Sequence, residues 1–226
     1  MADVLVVAAH PDDEVLGCGG TIARLTSEGR SVHIAILGEG ITSRSDRRED
    51  ADAAALQRLQ SDARAAAKTL GVEDVSLFSL PDNRFDTVPL LDVAKVVERL
   101  IAEHAPTTVY THGSGDLNVD HAVVHRAVLT ATRPVVGCCV REVFAFEVPS
   151  STEWAFDRLG GFKPNVFVNI GDTLERKCAA MARYTGEARE FPHPRSADAL
   201  RAIARRWGSV AGLPAAEAFE LVRSLR

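Results

Sequence analysis

Short apolar runs alternate with longer amphipathic stretches along the first two thirds of the chain. Residues 4–9 (VLVVAA) form a continuous, β-branched run followed by Pro11, the pattern of a strand buried on both faces. Residues 14–28 then carry helical spacing and stop at Gly29, a suitable C′ residue. Residues 32–37 repeat the buried-strand pattern, and the alanine-rich residues 50–70 predict a helix that Gly71 ends. Strand 75–80, helix 90–103, strand 107–111 and helix 121–133 continue the alternation. Strands that alternate with helices, and are apolar throughout, predict a parallel sheet covered by helices on both faces. After Pro134 the rhythm changes. Strands are expected at 141–147 and 166–170, and helices at 172–184, 196–207 and 214–225. Ser196 suits an N-cap, Gly208 a stop and Pro214 a first helical turn. The reading is one α/β domain over 1–226, with a core at 1–135 and a helical C-terminal embellishment at 136–226.

Composition narrows the partners. The 226 residues are 46% hydrophobic and 25% charged, enough chain for a sizeable core without covalent staples. Thirty-one acidic against 26 basic side chains leave a net charge of −5, which gives no long-range attraction to nucleic acid or anionic lipid. The first apolar run is too short for a signal sequence or a membrane span. Cys18, Cys138, Cys139 and Cys178 fit neither a disulfide framework nor a C-x-x-C metal knuckle. A soluble cytoplasmic protein with reduced thiols is expected. An apolar face on residues 215–225 suits core and homo-oligomer interface equally.

The densest chemistry lies at the exit of the first strand, in Ala9-His10-Pro11-Asp12-Asp13-Glu14. Three carboxylates and an imidazole in five positions repel and need solvation, so structure alone is a poor reason for them. Pro11 stiffens the turn and holds His10 extended. His10 and Asp13 then converge as half of a Zn²⁺ site, with Asp12 projecting beside them. The second dense stretch, His112-Gly-Ser-Gly-Asp116-Leu-Asn118-Val-Asp120-His121, leaves the fourth strand at the same edge. His121 completes a His₂Asp set of the kind found in hydrolytic zinc sites, and the same set accepts Fe²⁺, Co²⁺ or Ni²⁺. Asp120 is expected to orient His121 through its second ring nitrogen. His125, one turn further on, reads as a supporting residue.

Other schemes fit less well. The Asp116-Asn118-Asp120 spacing imitates a calcium loop, but position six is His121 and position twelve is Ala127. No G-x-S-x-G elbow occurs. Gly17-Cys18-Gly19-Gly20 falls inside the first helix, where glycines permit close helix–sheet packing. A metal-free nucleotide-binding module shares the architecture, yet two aspartates stand where its phosphate would sit. The polar segment 39–48 after the second strand is placed to cover a site at the sheet edge, with Arg44, Arg47 or Arg48 available to meet a ligand there.

The A-H-P-D-D-E turn, the G-C-G-G-T run at 17–21 and Asp116-Leu-Asn-Val-Asp-His121 together resemble the PIG-L/LmbE-like family of zinc-dependent N-deacetylases. Supporting likenesses are Pro81-Asp82-Asn83-Arg84, the stretch 146–151, His193-Pro-Arg-Ser196 and Ala216-Glu217-Ala218-Phe219. The resemblance implies a Rossmann-like three-layer sandwich with zinc on His10, Asp13 and His121. It implies Asp12 as general base and a small N-acetylglucosamine-type compound as substrate, or a larger amino-sugar conjugate. Some members carry a histidine where this chain has Asn118, whose amide can donate to an oxyanion but cannot deliver a proton.

Overall fold

The computed structural model describes residues 2–73, 75–156 and 161–226. Its strands are β1 (Val4–Ala8), β2 (Val32–Gly38), β3 (Val75–Leu80), β4 (Thr108–His112), β5 (Glu142–Phe146), β6 (Val166–Asn169) and β7 (Ala216–Ser224). They join one sheet in the order β3-β2-β1-β4-β5-β7-β6. The first five run parallel, and β7 runs antiparallel to both of its neighbours. The helices are α1 (Asp13–Ser27), α2 (Ala53–Thr69), α3 (Leu90–His104), α4 (Val119–Ala131), α5 (Leu174–Met181) and α6 (Ala197–Ala211).

The unbroken apolar run of the first strand has its reason in the two faces. Val4, Val6 and Ala8 enter one core beside α1, α2 and α5, whereas Leu5, Val7 and Ala9 enter the other beside α3 and α4. This is the expected three-layer α/β sandwich. On the first face, a Cβ on Gly17 would collide with the Phe146 ring, and one on Gly20 would lie 2.8 Å from Ile170 Cδ1. The glycine run therefore serves close packing.

Two C-terminal expectations fail. Residues 214–225 form no helix: Ala216–Ser224 is a strand inserted between β5 and β6. Alanine, glutamate and leucine favour helix locally, but both edges of β7 find ladder partners, and tertiary pairing outweighs propensity. Gly208 does not stop α6, which runs on to Ala211 and ends at Gly212 with φ 69°. A Cβ on Gly208 would lie 2.6 Å from the carbonyl oxygen of Leu213, so glycine is needed there for chain approach. Ser196 does cap α6, accepting from the Ala199 amide at 3.1 Å.

The new strand also explains a break in α1. Cys18 leaves the helical region (φ −144°, ψ 21°), dividing α1 into two stretches. Glu217 of β7 accepts from the amides of Gly20 (2.9 Å) and Thr21 (2.6 Å), at the start of the second stretch. Lys177 of α5 donates to the Leu16 carbonyl (2.8 Å) at the end of the first, and to Glu217 (2.6 Å). One buried ion pair thus satisfies both ends of the break, each charge facing the helix end of opposite sign.

Candidate active site

In an open parallel sheet, a crevice forms where neighbouring strands send their connections to opposite sides. Here that point lies between β1, which leads toward β2, and β4, which leads toward β5. The His10–Asp13 turn leaves β1, and the 113–118 turn leaves β4, so the two dense motifs meet without further devices. Asp12 precedes α1 with φ 102°, a left-handed conformation that is costly outside glycine. The turn is held by the His10 amide donating to Asp13 Oδ2 (2.8 Å) and by Val15 and Leu16 amides donating to the Asp12 carbonyl.

One donor atom from each of His10, Asp13 and His121 lies within 4.8 Å of the others, and all three residues are enclosed. Asp13 Oδ2 is 3.4 Å from His10 Nδ1 and 3.2 Å from His121 Nε2. Both ring nitrogens of His121 are buried without a hydrogen bond, and Nε2, on the side of Asp13, is the one that suits a cation. Each imidazole carries a carboxylate at its other nitrogen. His10 Nε2 meets Asp120 at 2.8 Å, and His121 Nδ1 lies 3.0 Å from Asp116. Such pairing fixes a ligand's tautomer and raises its basicity, so the residues fit a divalent cation.

A second group, His10 with Asp82 and Asp120, also has donor atoms within 4.8 Å. Asp120 is already committed there, its oxygens accepting from the amides of Asn83 (2.6 Å) and Phe85 (2.8 Å). Beneath the site, His112 Nε2 accepts from the Ala9 amide (2.8 Å), and its ring stacks on His121 with centroids 4.0 Å apart. Burial holds His112 neutral, well below its ordinary pKa, and the neighbouring His121 adds to the effect.

The electrostatics follow from burial set against pairing. Burial would lower the His10 pKa, but hydrogen bonds to Asp120 and Asp13 outweigh it and raise it to about 10. His121 is likewise raised, to about 9, by Asp13 and Asp116 against burial. Burial pushes Asp13 up, yet His121 and His10 together hold it well below the usual carboxylate range. Asp12 goes the other way: burial raises it strongly, opposed by Arg195. Adjacent aspartates are thus driven apart, one held as an anion and one pushed toward its protonated form.

The expected pairing of Asp120 with His121 is corrected: Asp120 serves His10, and Asp116 serves His121. Asp120 precedes His121 in the first turn of α4, so the two side chains leave the helix in different directions. Asp116 lies in the turn before the cap and folds back. There it takes hydrogen bonds from the Ser151 and Thr152 hydroxyls, and its pKa falls to about 2 despite burial, the bond from His121 contributing most. Asn118 caps α4 through Oδ1, accepting from the Asp120 amide (2.9 Å), and its Nδ2 donates to Asn83 (2.9 Å). His125 Nδ1 bonds the His112 carbonyl at 2.8 Å, a supporting role.

Of the three arginines, only Arg44 lines the cleft, where it donates to both oxygens of Glu187. Arg47 pairs with Glu49 in solvent, and Arg48 is taken up by Glu39 and the Ser79 carbonyl, so neither guanidinium faces the site. The cation that does face it is Arg195. It donates to Asp12 Oδ2 (2.8 Å), Glu187 (2.9 Å) and Ser150 (2.7 Å). Sequence reading passed over Arg195 because 183 residues separate it from Asp12; its only signal was its place in the His193-Pro-Arg-Ser196 stretch. Glu187 carried none.

Fold and site together define an α/β protein with an enclosed His₂Asp cation centre at the switch point of its sheet. Residues 5–132 match the PIG-L family, described as GlcNAc-PI de-N-acetylase, and the chain belongs to that family. It is 26% identical over 223 residues to the diacetylchitobiose deacetylase of Thermococcus kodakarensis, covering 97% of this chain and 82% of that one. It is 28% identical over 203 residues to the 4-oxalmesaconate hydratase of Pseudomonas putida, covering 81% and 73%. Among solved structures, the conserved protein TT1542 of Thermus thermophilus superposes with a TM-score of 0.75 at 26% identity, covering 100% of this chain and 97% of that one.

Proposed function

We propose that the protein is a zinc-dependent N-deacetylase that removes an acetyl group from a 2-amino sugar of the N-acetylglucosamine type. The carrying observation is Asp12, a buried carboxylate with a raised pKa, next to a His₂Asp centre whose His121 nitrogen lacks a partner. His10, Asp13 and His121 would hold the ion, with Asp120 and Asp116 fixing the two rings. Zinc in such a set would supply a Lewis acid that brings the pKa of a water to ~7 and polarises the acyl oxygen. Arg195 engages one oxygen of Asp12 and leaves the other for that water. Asp12 takes the proton as the water oxygen attacks the acyl carbon. It then returns the proton to the departing nitrogen as the C–N bond breaks, giving acetate and the free amine. Asn118 lines the cleft and keeps a second Nδ2 hydrogen that would donate to the developing oxyanion.

The cleft favours a neutral sugar. Its two arginines, Arg44 and Arg195, are paired with Glu187 and Asp12, and Asp82 adds a further carboxylate. A hydratase reading has one support, the relative of that name, since an activated water can also add to a double bond. A polyanionic compound would meet no unpaired arginine or lysine among the described residues of the cleft. A panel of N-acetylglucosaminides assayed for released acetate, with 4-oxalmesaconate alongside, tests the choice. Acetate release supports the deacetylase; hydration of 4-oxalmesaconate without acetate release overturns it.

A further inference from the structure

The cleft is polar around most of its wall, where Ser43, Arg44, Asp82, Asn83, Glu187 and Arg195 present donors and acceptors. Among the described residues, its apolar lining is confined to Pro11, Gly40, Ile41 and Leu59. These four stand in one corner. A Cβ on Gly40 would lie 3.0 Å from Leu59 Cδ2 and 3.1 Å from Pro11 Cδ, and Ile41 follows Gly40 in the chain. Pro11 sits between His10 and Asp12, so the corner borders the reacting centre directly.

The corner is held in place and closed at its back. Ile41 is a β-branched residue at φ 50°, in the left-handed region where a side chain is costly and glycine is at ease. The turn is pinned in that conformation on both sides. Ser43 donates to Asp82 Oδ2 through its amide (3.0 Å) and its hydroxyl (2.6 Å), and Arg44 donates to Glu187. Leu59 comes from α2, is buried, and packs into the same core that Ile41 touches. The close contacts around Gly40 leave no channel there, since one added carbon would already touch both Leu59 and Pro11. A short apolar group fits against this corner, and a longer one runs into Leu59 and Ile41.

An N-acylated amino sugar has one wholly apolar end, the alkyl part of its acyl group, whereas its ring carries hydroxyls that need the polar wall. We propose that Pro11, Ile41 and Leu59 form the seat of that alkyl group, and that Ile41 and Leu59 set the length of the acyl group removed. This rests on the deacetylase reading and adds to it a selectivity for acetyl over longer acyl groups. Two residues outside the metal-binding turns carry that selectivity. One methylene admitted or refused by an apolar site changes kcat/KM by about 10- to 200-fold.

The test compares the methyl β-glycosides of N-acetyl-, N-propionyl- and N-butyrylglucosamine on metal-loaded wild type, Leu59→Ala and Ile41→Gly. Leu59 is a core residue, so thermal unfolding and metal content are checked for both variants. Ile41→Gly carries the test without that risk, because Ile41 is only half-buried and glycine suits its φ of 50°. Two readouts are taken: kcat/KM from the carboxylic acid released, and calorimetric binding to the same proteins carrying Asp12→Asn. Wild type is expected to favour acetyl over propionyl by at least about 10-fold in kcat/KM, with butyryl lower still. A several-fold fall of that preference in either variant supports the seat. Comparable rates for acetyl and butyryl in wild type, or a preference that falls in neither variant, overturns it. Length-selective binding that either substitution relaxes, without acid released from any glycoside, leaves the seat standing and overturns the deacetylase reading instead.

Discussion

The Lys177–Glu217 pair is the sharpest test of how the C-terminal strand supports the site. Both side chains are enclosed, and the pair bridges the break in α1, the helix whose first turn carries Asp13. Glu217→Gln keeps the shape and one acceptor oxygen for the Gly20 and Thr21 amides but strands the Lys177 ammonium. Removing one member of a buried pair costs about 3–5 kcal/mol, because the remaining charge is left without compensation. In a chain of this size each kcal/mol moves Tm by about 2–4 °C, so a fall of roughly 6–20 °C is expected. Lys177→Met strands less, since Glu217 keeps two amide donors at the start of a helical stretch; about 1.5–3 kcal/mol is expected. The double variant is expected to be more stable than Glu217→Gln alone, since no buried cation remains. Urea denaturation followed by circular dichroism measures all three, with unchanged m-values licensing the comparison. A loss below about 1 kcal/mol in Glu217→Gln, or strict additivity in the double variant, refutes the reasoning.

The remaining predictions concern the site and the thiols. Asp12→Asn is expected to lower kcat by about 10²–10⁴-fold while metal content stays near one ion per chain; unchanged activity or lost metal contradicts the base assignment. Asp116→Asn and Asp120→Asn are each expected to weaken metal affinity by about 10–100-fold, measured by competition with a chelating dye, and Asp82→Asn by less. Burial raises the Cys18 thiol pKa well above its ordinary value, so at pH 8 almost none of it is thiolate. Iodoacetamide on the native protein is expected to modify the half-buried Cys138 and Cys139 first and to reach Cys18 only after unfolding. Equal rates by peptide mass spectrometry would contradict this.

The sheet and the clustering of His10, Asp13 and His121 were legible because they rest on local signals. An apolar run closed by proline defines β1, and the turn after it presents His10, Asp12 and Asp13 as a set. His121 follows from its place after β4. What stayed hidden depended on distant partners. Residues 216–224 have helical composition and become a strand only because β5 and β6 leave a slot between them. The partner of His121 was misassigned because adjacency in sequence is not adjacency on a helix start, where Asp116 folds back and Asp120 points to the 83–85 loop. Arg195 reaches Asp12 across 183 residues through a segment with no regular structure. Placement of cytoplasmic chemistry was likewise an inference from composition; the structure adds that no helix among the described residues is long and apolar enough to cross a membrane.

The most direct test of the account is metal content and acetate release measured together on wild type and His121→Ala, with methyl N-acetyl-β-glucosaminide as substrate. Wild type is expected to bind one divalent ion per chain, to release one acetate per amine formed, and to lose and regain both properties as metal is removed and returned. His121→Ala is expected to show neither metal nor turnover. Acetate release that persists in the metal-free protein or in His121→Ala would contradict the central claim that His10, Asp13 and His121 form the reacting centre.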